Sequence, residues 1–313
     1  MASLWKFGGL SAKDLAKRVW KEIQEDDVFG RAAQLSYYFL LALFPLLIFL
    51  TSVIGLLLGA ETDLSQYLFN YLAQVMPPAA FQLIDSTMRE VSSASSGNKV
   101  SFGILAALWA ASNGMGAITE ALNVAYDVEE SRAWWKQRLI ATTLTIALSV
   151  LIISALVLVL AGGKIANIIS TKFALGNLFL LAWKILQWPI VLGAMLFAFA
   201  LIYYLAPDVR EKKWIWITPG ALLGVLLWLL VSFGFRLYLH FFDSYSHTYG
   251  SLGAVIILML WLYLTGAAVL IGGELNAVIE NAAPQAGVAD AKKPGEKRPQ
   301  KESPKARTAK QGA

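Results

Sequence analysis

Residues 35–58, LSYYFLLALFPLLIFLTSVIGLLL, form the first of six long apolar runs in the chain. A helix needs about 20 apolar residues to cross roughly 30 Å of hydrocarbon, and each run is close to that length. The chain is 57% hydrophobic and 15% charged, which is too apolar for a soluble protein. The sequence therefore predicts an all-α integral membrane protein with six spans: 35–58, 100–117, 139–161, 178–205, 215–239 and 251–273, within a membrane domain of residues 35–280.

Positive charges are distributed unevenly between these runs. Twenty of the 26 Lys and Arg fall in the N-terminal arm, the second and fourth loops and the C-terminal tail, against five on the other side. Because positively charged loops stay in the cytoplasm, this bias predicts that both termini are cytoplasmic.

Two segments outside the spans also have helical patterns. In the cytoplasmic arm, residues 1–34, Leu15, Val19 and Ile23 mark one face of an amphipathic helix, expected on the membrane surface. Two apolar patterns within residues 59–99 are separated by a pair of prolines. They predict a helical hairpin on the extracytoplasmic side between the first two spans.

The C-terminal segment, residues 281–313, is rich in Lys, Pro, Gly and Ala and predicts a disordered basic tail. Attraction to anionic lipids of the bilayer is its simplest role. No nucleic-acid partner is expected, because this tail alone accounts for the net charge of +5.

Polar groups and helix-breaking residues at membrane depth are costly and often mark functional sites. Four such clusters lie at the ends of the predicted spans. Their members are Arg31, Tyr37 and Pro45; Asn113, Glu120 and Asn123; Tyr204, Pro207, Pro219 and Gly220; and Tyr249, Gly250, Glu274 and Asn276.

Structural interpretations of these clusters stay open. Gly220 and Gly224 are typical of close helix packing, either inside the chain or at a homodimer interface. Arg31 and Glu274 are predicted to form an ion pair at the cytoplasmic boundary. Pro45 is expected to kink the first span.

Signatures of catalysis and of metal binding are weak. His240, Asp243 and His247 have a spacing that one helical face could share, but an ordinary interfacial loop is the favoured interpretation. The sequence lacks Walker, HExxH and GxSxG motifs. We therefore assign no catalytic residue, no metal and no cofactor.

Four separated segments resemble the YihY/BrkB family of bacterial inner-membrane proteins: AAQLSYYFLLALFPLL, SNGMGAITEALNVAYDVEESRAWWKQRL, YYLAPDVREKKWIWITPGALLGVLLW and YGSLGAVIILMLWLYLTGAAVLIGGELNAVI. The resemblance covers about residues 15–280 and implies a six-span protein of the cytoplasmic membrane. Members of the family have been associated with serum resistance and virulence. The family-like positions are Tyr37, Pro45, Asn123, Tyr204, Pro207, Pro219, Gly220, Tyr249, Gly250, Trp261, Tyr263, Gly273, Glu274 and Asn276.

The family has also carried the label of a tRNA-processing ribonuclease, with which the residues disagree. A metal-dependent nuclease needs clustered carboxylates or histidines facing the cytoplasm, and a metal-free one needs an acid and base pair there. Both histidines of the chain fall in the outer fifth loop. Ribonuclease activity is therefore disfavoured.

Three classes of function remain. A transporter, exporter or lipid-handling protein predicts a polar cavity between spans 1, 2, 5 and 6, whereas a scaffold in envelope assembly predicts a dry bundle. A membrane-embedded hydrolase has only poor candidates in Glu120 and Glu274. Transport or lipid handling is favoured, as a possible homodimer, and the absence of ionisable residues at span centres indicates an amphiphilic or lipid-like substrate. The expected cavity lining is Tyr37, Asn113, Asn123, Tyr204, Tyr249 and Glu274.

Overall fold

The computed structural model describes Trp5 and residues 7–58, 97–173, 175–209, 217–241 and 245–282. Within these ranges the regular structure is entirely helical, with a short 3-10 turn, Phe7–Gly9, before the first α-helix. The α-helices are α1 (Ala12–Glu25), α2 (Val28–Leu58), α3 (Gly97–Ala125), α4 (Trp134–Phe173), α5 (Gly176–Leu205), α6 (Pro219–Phe241) and α7 (Tyr245–Ala282). The predicted outer hairpin, up to residue 96, and the predicted tail, from residue 283, lie outside the described residues.

Five of these helices contain a segment long and apolar enough to cross a membrane, which confirms the predicted class of a helical membrane protein. The segments are Val28–Leu50, Trp134–Val159, Gly176–Leu205, Pro219–Tyr238 and Val255–Ala282. The remaining predicted span, 100–117, falls in α3, and the side chains at the start of that helix lie outside the described residues. Six spans therefore stay a prediction.

Helix α1 is amphipathic as predicted, but its environment differs from the prediction. Ser11 caps the helix, since its hydroxyl accepts a hydrogen bond from the Asp14 N–H at 3.1 Å. Leu15, Val19 and Ile23 are buried in the main core, and α1 packs on α7. The apolar face of α1 is therefore covered by protein and not by lipid, while the position of α1 at the membrane surface stays a prediction.

The main core occupies one end of the bundle. It includes Val28 of α2, Leu122 of α3, Leu144 of α4 and Ile279 of α7. We call this region, residues 11–36, 118–144, 199–209, 217–225 and 266–282, the charged end, because most of the charged side chains that the structure describes lie there.

The rest of the described bundle, which we call the apolar half, has only a small buried cluster. It consists of Phe49, Ala107 and Leu108. Large apolar side chains are exposed on its outside, for instance Leu178 at 79% and Leu230 at 70%. Lipid is the expected neighbour of these side chains.

Glycines bring α5, α6 and α7 together within the chain. A Cβ added at Gly220 would overlap the Gly272 carbonyl oxygen and the Asn276 amide, and one added at Gly224 would overlap Phe199 and the Tyr203 hydroxyl. The Gly220 and Gly224 pair is thus used for packing inside the chain, which is one of the two predicted alternatives. A homodimer through another surface stays a prediction.

Helices α4 and α5 form a tight hairpin, and both helices extend beyond the predicted spans toward the turn that joins them. The Leu175 N–H donates to the Ser170 carbonyl at 3.0 Å, and Gly176 has a φ of +69°, which favours glycine. The predicted loop between residues 162 and 177 is therefore mostly helix. Helix α2 likewise runs through Pro45 to Leu58 without a break.

Candidate functional site

A polar cavity of about 690 Å³ lies beside α3 at the charged end. Helices α2 and α4 both pack along α3 but contact each other at few positions. A space therefore remains between α2 and α4, with α3 on its third side. The lining residues are Arg31, Gly116, Thr119, Glu120, Asn123, Val124, Glu130, Trp134, Gln137, Arg138 and Ala141.

A second cavity of about 360 Å³ adjoins the first and extends toward the apolar half. Glu120 lines both cavities, and we call them together the polar groove. The lining of the second cavity is more apolar: Tyr38, Leu41, Ala42, Ala110, Asn113, Ala117 and Glu120.

One face of α3 forms the floor of this groove. Asn113, Gly116, Glu120 and Asn123 recur at intervals of three or four residues and therefore share a helical face. A Cβ at Gly116 would meet no atom within 4 Å, so the groove is open above it. The floor thus combines small residues with amide and carboxyl groups.

Arg138 of α4 is held over the groove by neutral partners. Its Nη1 donates to Asn113 Oδ1 at 2.6 Å, its Nη2 donates to the Trp109 carbonyl, and its guanidinium lies 3.7 Å from the centre of the Trp109 ring. Its Nε is buried without a hydrogen-bond partner among the described residues. The positive charge of Arg138 is therefore not neutralised by a described carboxylate.

Two further charges in the groove also lack an opposite charge at ion-pair distance. Arg31 donates from Nε to the Asp26 carbonyl oxygen at 2.9 Å, which is a neutral acceptor. Glu120 is exposed in the groove, and no ion pair joins it to the part of the chain that the structure describes. The groove therefore presents two cations and one anion.

The carboxylate of Glu130, in contrast, is neutralised at the rim. Arg132 holds it with two hydrogen bonds of 2.7 and 2.6 Å, and Asn123 donates a third at 2.8 Å. Burial alone would raise the pKa of Glu130, but these hydrogen bonds outweigh it and lower that pKa below its usual value. Glu130 is thus ionised, and Arg132 and Asn123 already bond its carboxylate.

The same residues connect the α3–α4 loop to the end of α5. Asn123 Oδ1 accepts from the Asp208 N–H at 2.8 Å, Ser131 donates from both its N–H and its hydroxyl to the Asp208 carboxylate at 2.8 and 2.6 Å, and Arg132 donates to the Ala206 carbonyl at 2.9 Å. Asn123 and Asp208 are 85 residues apart in sequence. The network fixes the rim of the groove, so the role of Asn123 is to position other groups.

Asn276 acts at the start of α6. Its Oδ1 accepts from the Gly220 N–H at 2.8 Å, and its Nδ2 donates to the Thr218 hydroxyl at 3.0 Å. The same hydroxyl caps the helix by accepting from the Ala221 N–H at 3.0 Å, and Pro219 occupies the first helical position. Asn276, Gly220 and Pro219 therefore join α6 to α7 and lie outside the groove.

Glu274 is not paired with Arg31. Only 1% of Glu274 is exposed, and neither carboxylate oxygen has a hydrogen-bond partner within the described ranges. Arg31 is held by the Asp26 carbonyl, at the turn between α1 and α2. The predicted ion pair was wrong, because the turn provides Arg31 with a local acceptor.

Comparison with known proteins shows the family. The family model described as "Virulence factor BrkB" matches residues 19–298. The chain belongs to the BrkB family. It is 38% identical to the ribonuclease-like protein YfkH of Bacillus subtilis (strain 168) over 250 residues, 80% of this chain and 89% of YfkH. It is 26% identical to the UPF0761 membrane protein PBPRA3489 of Photobacterium profundum, over 82% of this chain and 78% of that protein. No solved structure matches the chain.

In this BrkB-family chain, four of the residues predicted from sequence meet in the groove: Arg31, Asn113, Glu120 and Asn123. The groove lies between the first three predicted spans, which differs from the predicted cavity between spans 1, 2, 5 and 6. The reason is that glycines close the contact of α5, α6 and α7.

The other predicted residues lie elsewhere. Tyr37 is 54% exposed and does not line the groove, and Pro207 is buried after α5. Tyr204, at the end of α5, is half-buried and does not line it either. Tyr249 and Gly250 belong to α7, but their side chains lie outside the described residues.

The weak metal pattern at His240, Asp243 and His247 also falls on undescribed side chains. Elsewhere, among the residues described, no three His, Cys, Asp or Glu come together as metal ligands.

Sequence reasoning missed Arg138 and Arg132. Both belong to the polar segment SRAWWKQR, between the second and third predicted spans. The sequence signal for Arg138 is a pair of tryptophans followed by Lys, Gln and Arg at the start of a span. The contacts of Arg138 with Asn113 and of Arg132 with Asp208 could not be foreseen, because these partners are distant in sequence.

Proposed function

We propose that this protein binds an amphiphilic, lipid-like molecule in the polar groove and moves it across, or out of, the membrane. The observation that supports this proposal is a polar cavity of about 690 Å³ in which no ion pair among the described residues neutralises Arg31, Arg138 or Glu120. Unpaired charges near a membrane are costly and are typical of sites that meet a charged or polar ligand.

The chemistry of the groove suggests the headgroup. Arg138 and Arg31 suit a phosphate, because a guanidinium donates two parallel hydrogen bonds to an oxyanion. Glu120 suits an amine beside that phosphate. Leu41, Ala42 and the other apolar residues of the second cavity provide a path for an acyl chain. A zwitterionic phospholipid is the class of substrate that this combination fits.

The finer topology belongs to the same proposal. We infer six spans, with α3 as the second, and a charged end that faces the cytoplasm. The natural chain has no cysteine, so single cysteines at Glu129 and Asn177 give clean labelling sites. A membrane-impermeant maleimide added outside spheroplasts should label the second site and not the first.

Transbilayer lipid movement tests the function directly. The purified protein is reconstituted into liposomes containing a phosphatidylethanolamine with a fluorescent acyl chain, and dithionite then quenches the lipid of the outer leaflet. Wild-type protein should increase the rate at which inner-leaflet lipid becomes accessible. Arg138→Gln and Glu120→Gln should slow this movement about tenfold, because each removes a charged hydrogen bond of about 1.5–3 kcal/mol to the headgroup.

Two matched controls carry an Arg→Gln and a Glu→Gln substitution outside the groove. Arg236→Gln on α6 and Glu129→Gln in the α3–α4 loop alter exposed residues of the same charge, so neither should change the rate. Wild-type protein that moves no lipid, or controls that are slowed equally, would contradict the proposal. A folded protein without lipid movement would favour the alternative, a scaffolding role in envelope assembly.

Ribonuclease activity is not part of this proposal, despite the name of YfkH. The two histidines of the chain lie at the end of α6 and the start of α7, which is the end opposite Pro219 and Ala282. They are thus remote from the polar groove, and the described lining of the groove contains no histidine that could act as acid or base.

A further inference from the structure

A second group of ionisable residues lies at the charged end, away from the groove. Glu274 of α7 is its most buried member, with 1% of its surface exposed, and no donor group bonds either of its oxygens within the described ranges. The Asp26 carboxyl of the α1–α2 turn lies within hydrogen-bond reach of Glu274, so one proton can be shared between the two. Glu22 of α1 and Asp127 of the loop after α3 are close enough to act on the charge of Glu274. We call these four residues the carboxyl cluster.

Among the described residues, one positive charge is seen to act on the cluster. Arg31 of α2 lies close enough to lower the pKa of Asp26, but it bonds the Asp26 carbonyl and not Glu274. Among the described residues, Tyr126 after α3 and Tyr203 of α5 also lie beside this part of α7, and Glu280 of α7 acts on Tyr126.

An ionised Glu274 would be expensive in this position. A buried carboxylate without a hydrogen-bond donor or a paired cation is strongly destabilising, and the neighbouring carboxylates add repulsion. The effect is visible at Asp26, on the outside of the cluster: burial, Asp127 and Glu22 raise its pKa from 3.8 to about 6, against the opposing effects of Arg31 and Glu274.

A bound cation or a bound proton could relieve this cost. In the part of the chain that the structure describes, no three carboxylates come together as metal ligands. A proton needs only one carboxyl group and a nearby acceptor, which Asp26 provides. The geometry therefore favours the proton.

We propose that Glu274 is a proton-binding site, protonated at neutral pH, with Asp26 as the adjacent carboxyl that exchanges the proton. Loss of the proton places a negative charge on α7 directly opposite the acidic groups of α1 and of the turn. Repulsion then loosens α1 from the bundle. This inference concerns the carboxyl cluster alone and does not depend on lipid movement through the groove.

Infrared spectroscopy of the full chain in lipid nanodiscs tests the protonation state. The C=O stretch of a carboxylic acid is separate from the bands of a carboxylate. Wild-type protein at about pH 7 should show one buried acid band, and Glu274→Gln should lack it. Glu120→Gln, which changes a carboxyl group in the groove, should retain the band.

A second measurement keeps the test decisive if the band is weak. Glu274→Gln is an uncharged substitute for the protonated form, so the variant should fold and keep its melting temperature as the pH rises above neutrality. Wild-type protein should melt at progressively lower temperature over the same range. A wild type without an acid band, a band that survives Glu274→Gln, or a melting temperature that follows added Na⁺ or Ca²⁺ instead of pH would each overturn the proposal.

Discussion

The charged end and the apolar half of this molecule are built from the same helices but are held together differently. At the charged end, polar side chains join helices that are distant in sequence, as in the bond from Gly220 to Asn276 across 56 residues. In the apolar half, the hydroxyl of Thr171 bonds the carbonyls of Asn167 and Ile168 in its own helix, and large side chains face outward.

This difference follows from the surrounding solvent. Lipid tails are as apolar as leucine, so burying a leucine against another helix gains little inside a bilayer. Close packing and interhelical hydrogen bonds decide which helices meet. Because these interactions are concentrated at the charged end, that end should determine the arrangement of the bundle, while the apolar half adapts to the lipid.

The largest contrast is expected between two glycines of α6. Gly220→Leu should prevent folding, because a Cβ there overlaps the Gly272 carbonyl oxygen, which belongs to a backbone that cannot rotate away. Gly234→Leu, in the apolar half of the same helix, has open space and should be tolerated. Size-exclusion chromatography of the two variants in detergent would show the contrast, and two monodisperse profiles would contradict it.

A smaller contrast is expected between two leucines. Leu122 is fully buried against α7 near Gly273, and Leu122→Ala should lower the free energy of unfolding by about 3 kcal/mol. Leu230 is 70% exposed, so Leu230→Ala should cost less than about 1 kcal/mol. Reversible unfolding in mixed micelles measures both values. Equal losses would mean that the apolar half contributes as much to stability as the charged end.

The smallest expected effect is the pH dependence of the stability that Asp26 contributes at the surface of the charged end. The pKa of Asp26 is raised to about 6 in the folded protein, so the folded state holds this proton more tightly than the unfolded state does. The stabilisation is complete below about pH 4 and is lost as the pH rises through about 6.

Asp26→Asn should therefore melt at a less pH-dependent temperature in this window. Solvent screening of the partly exposed group keeps the difference below about 1 kcal/mol. Glu129→Gln, an exposed residue of the neighbouring loop, serves as the control and should behave as wild type. Identical profiles for Asp26→Asn and wild type would show that Asp26 titrates normally.

The sequence was sufficient for the helices, because a run such as residues 35–58 permits only one kind of structure in a membrane. It was less informative about where helices end. Helix α2 begins at Val28 and α7 continues to Ala282. These helix ends contain polar residues, but one apolar face of each end is buried in the core. An apolar run marks the lipid-facing length of a helix and not its whole length.

The groove could be predicted only in part. Polar residues on one face of α3 pointed to Asn113, Glu120 and Asn123, because their periodicity is visible in a single chain. The hydrogen-bond partner of each residue could not be predicted from the sequence, because pairs such as Arg138 with Asn113 depend on how the helices pack. The wrong pairing of Arg31 with Glu274 has the same cause.

The length of α4 has a consequence for the faces of the membrane. The helix runs without interruption from Trp134 to Phe173, over 40 residues. A helix of that length measures about 60 Å, and tilting within the observed range cannot place all of it in a bilayer about 30 Å thick. At least one end of α4 therefore extends beyond the hydrocarbon. A partner that approaches that face meets the projecting helix first and has to accommodate its height.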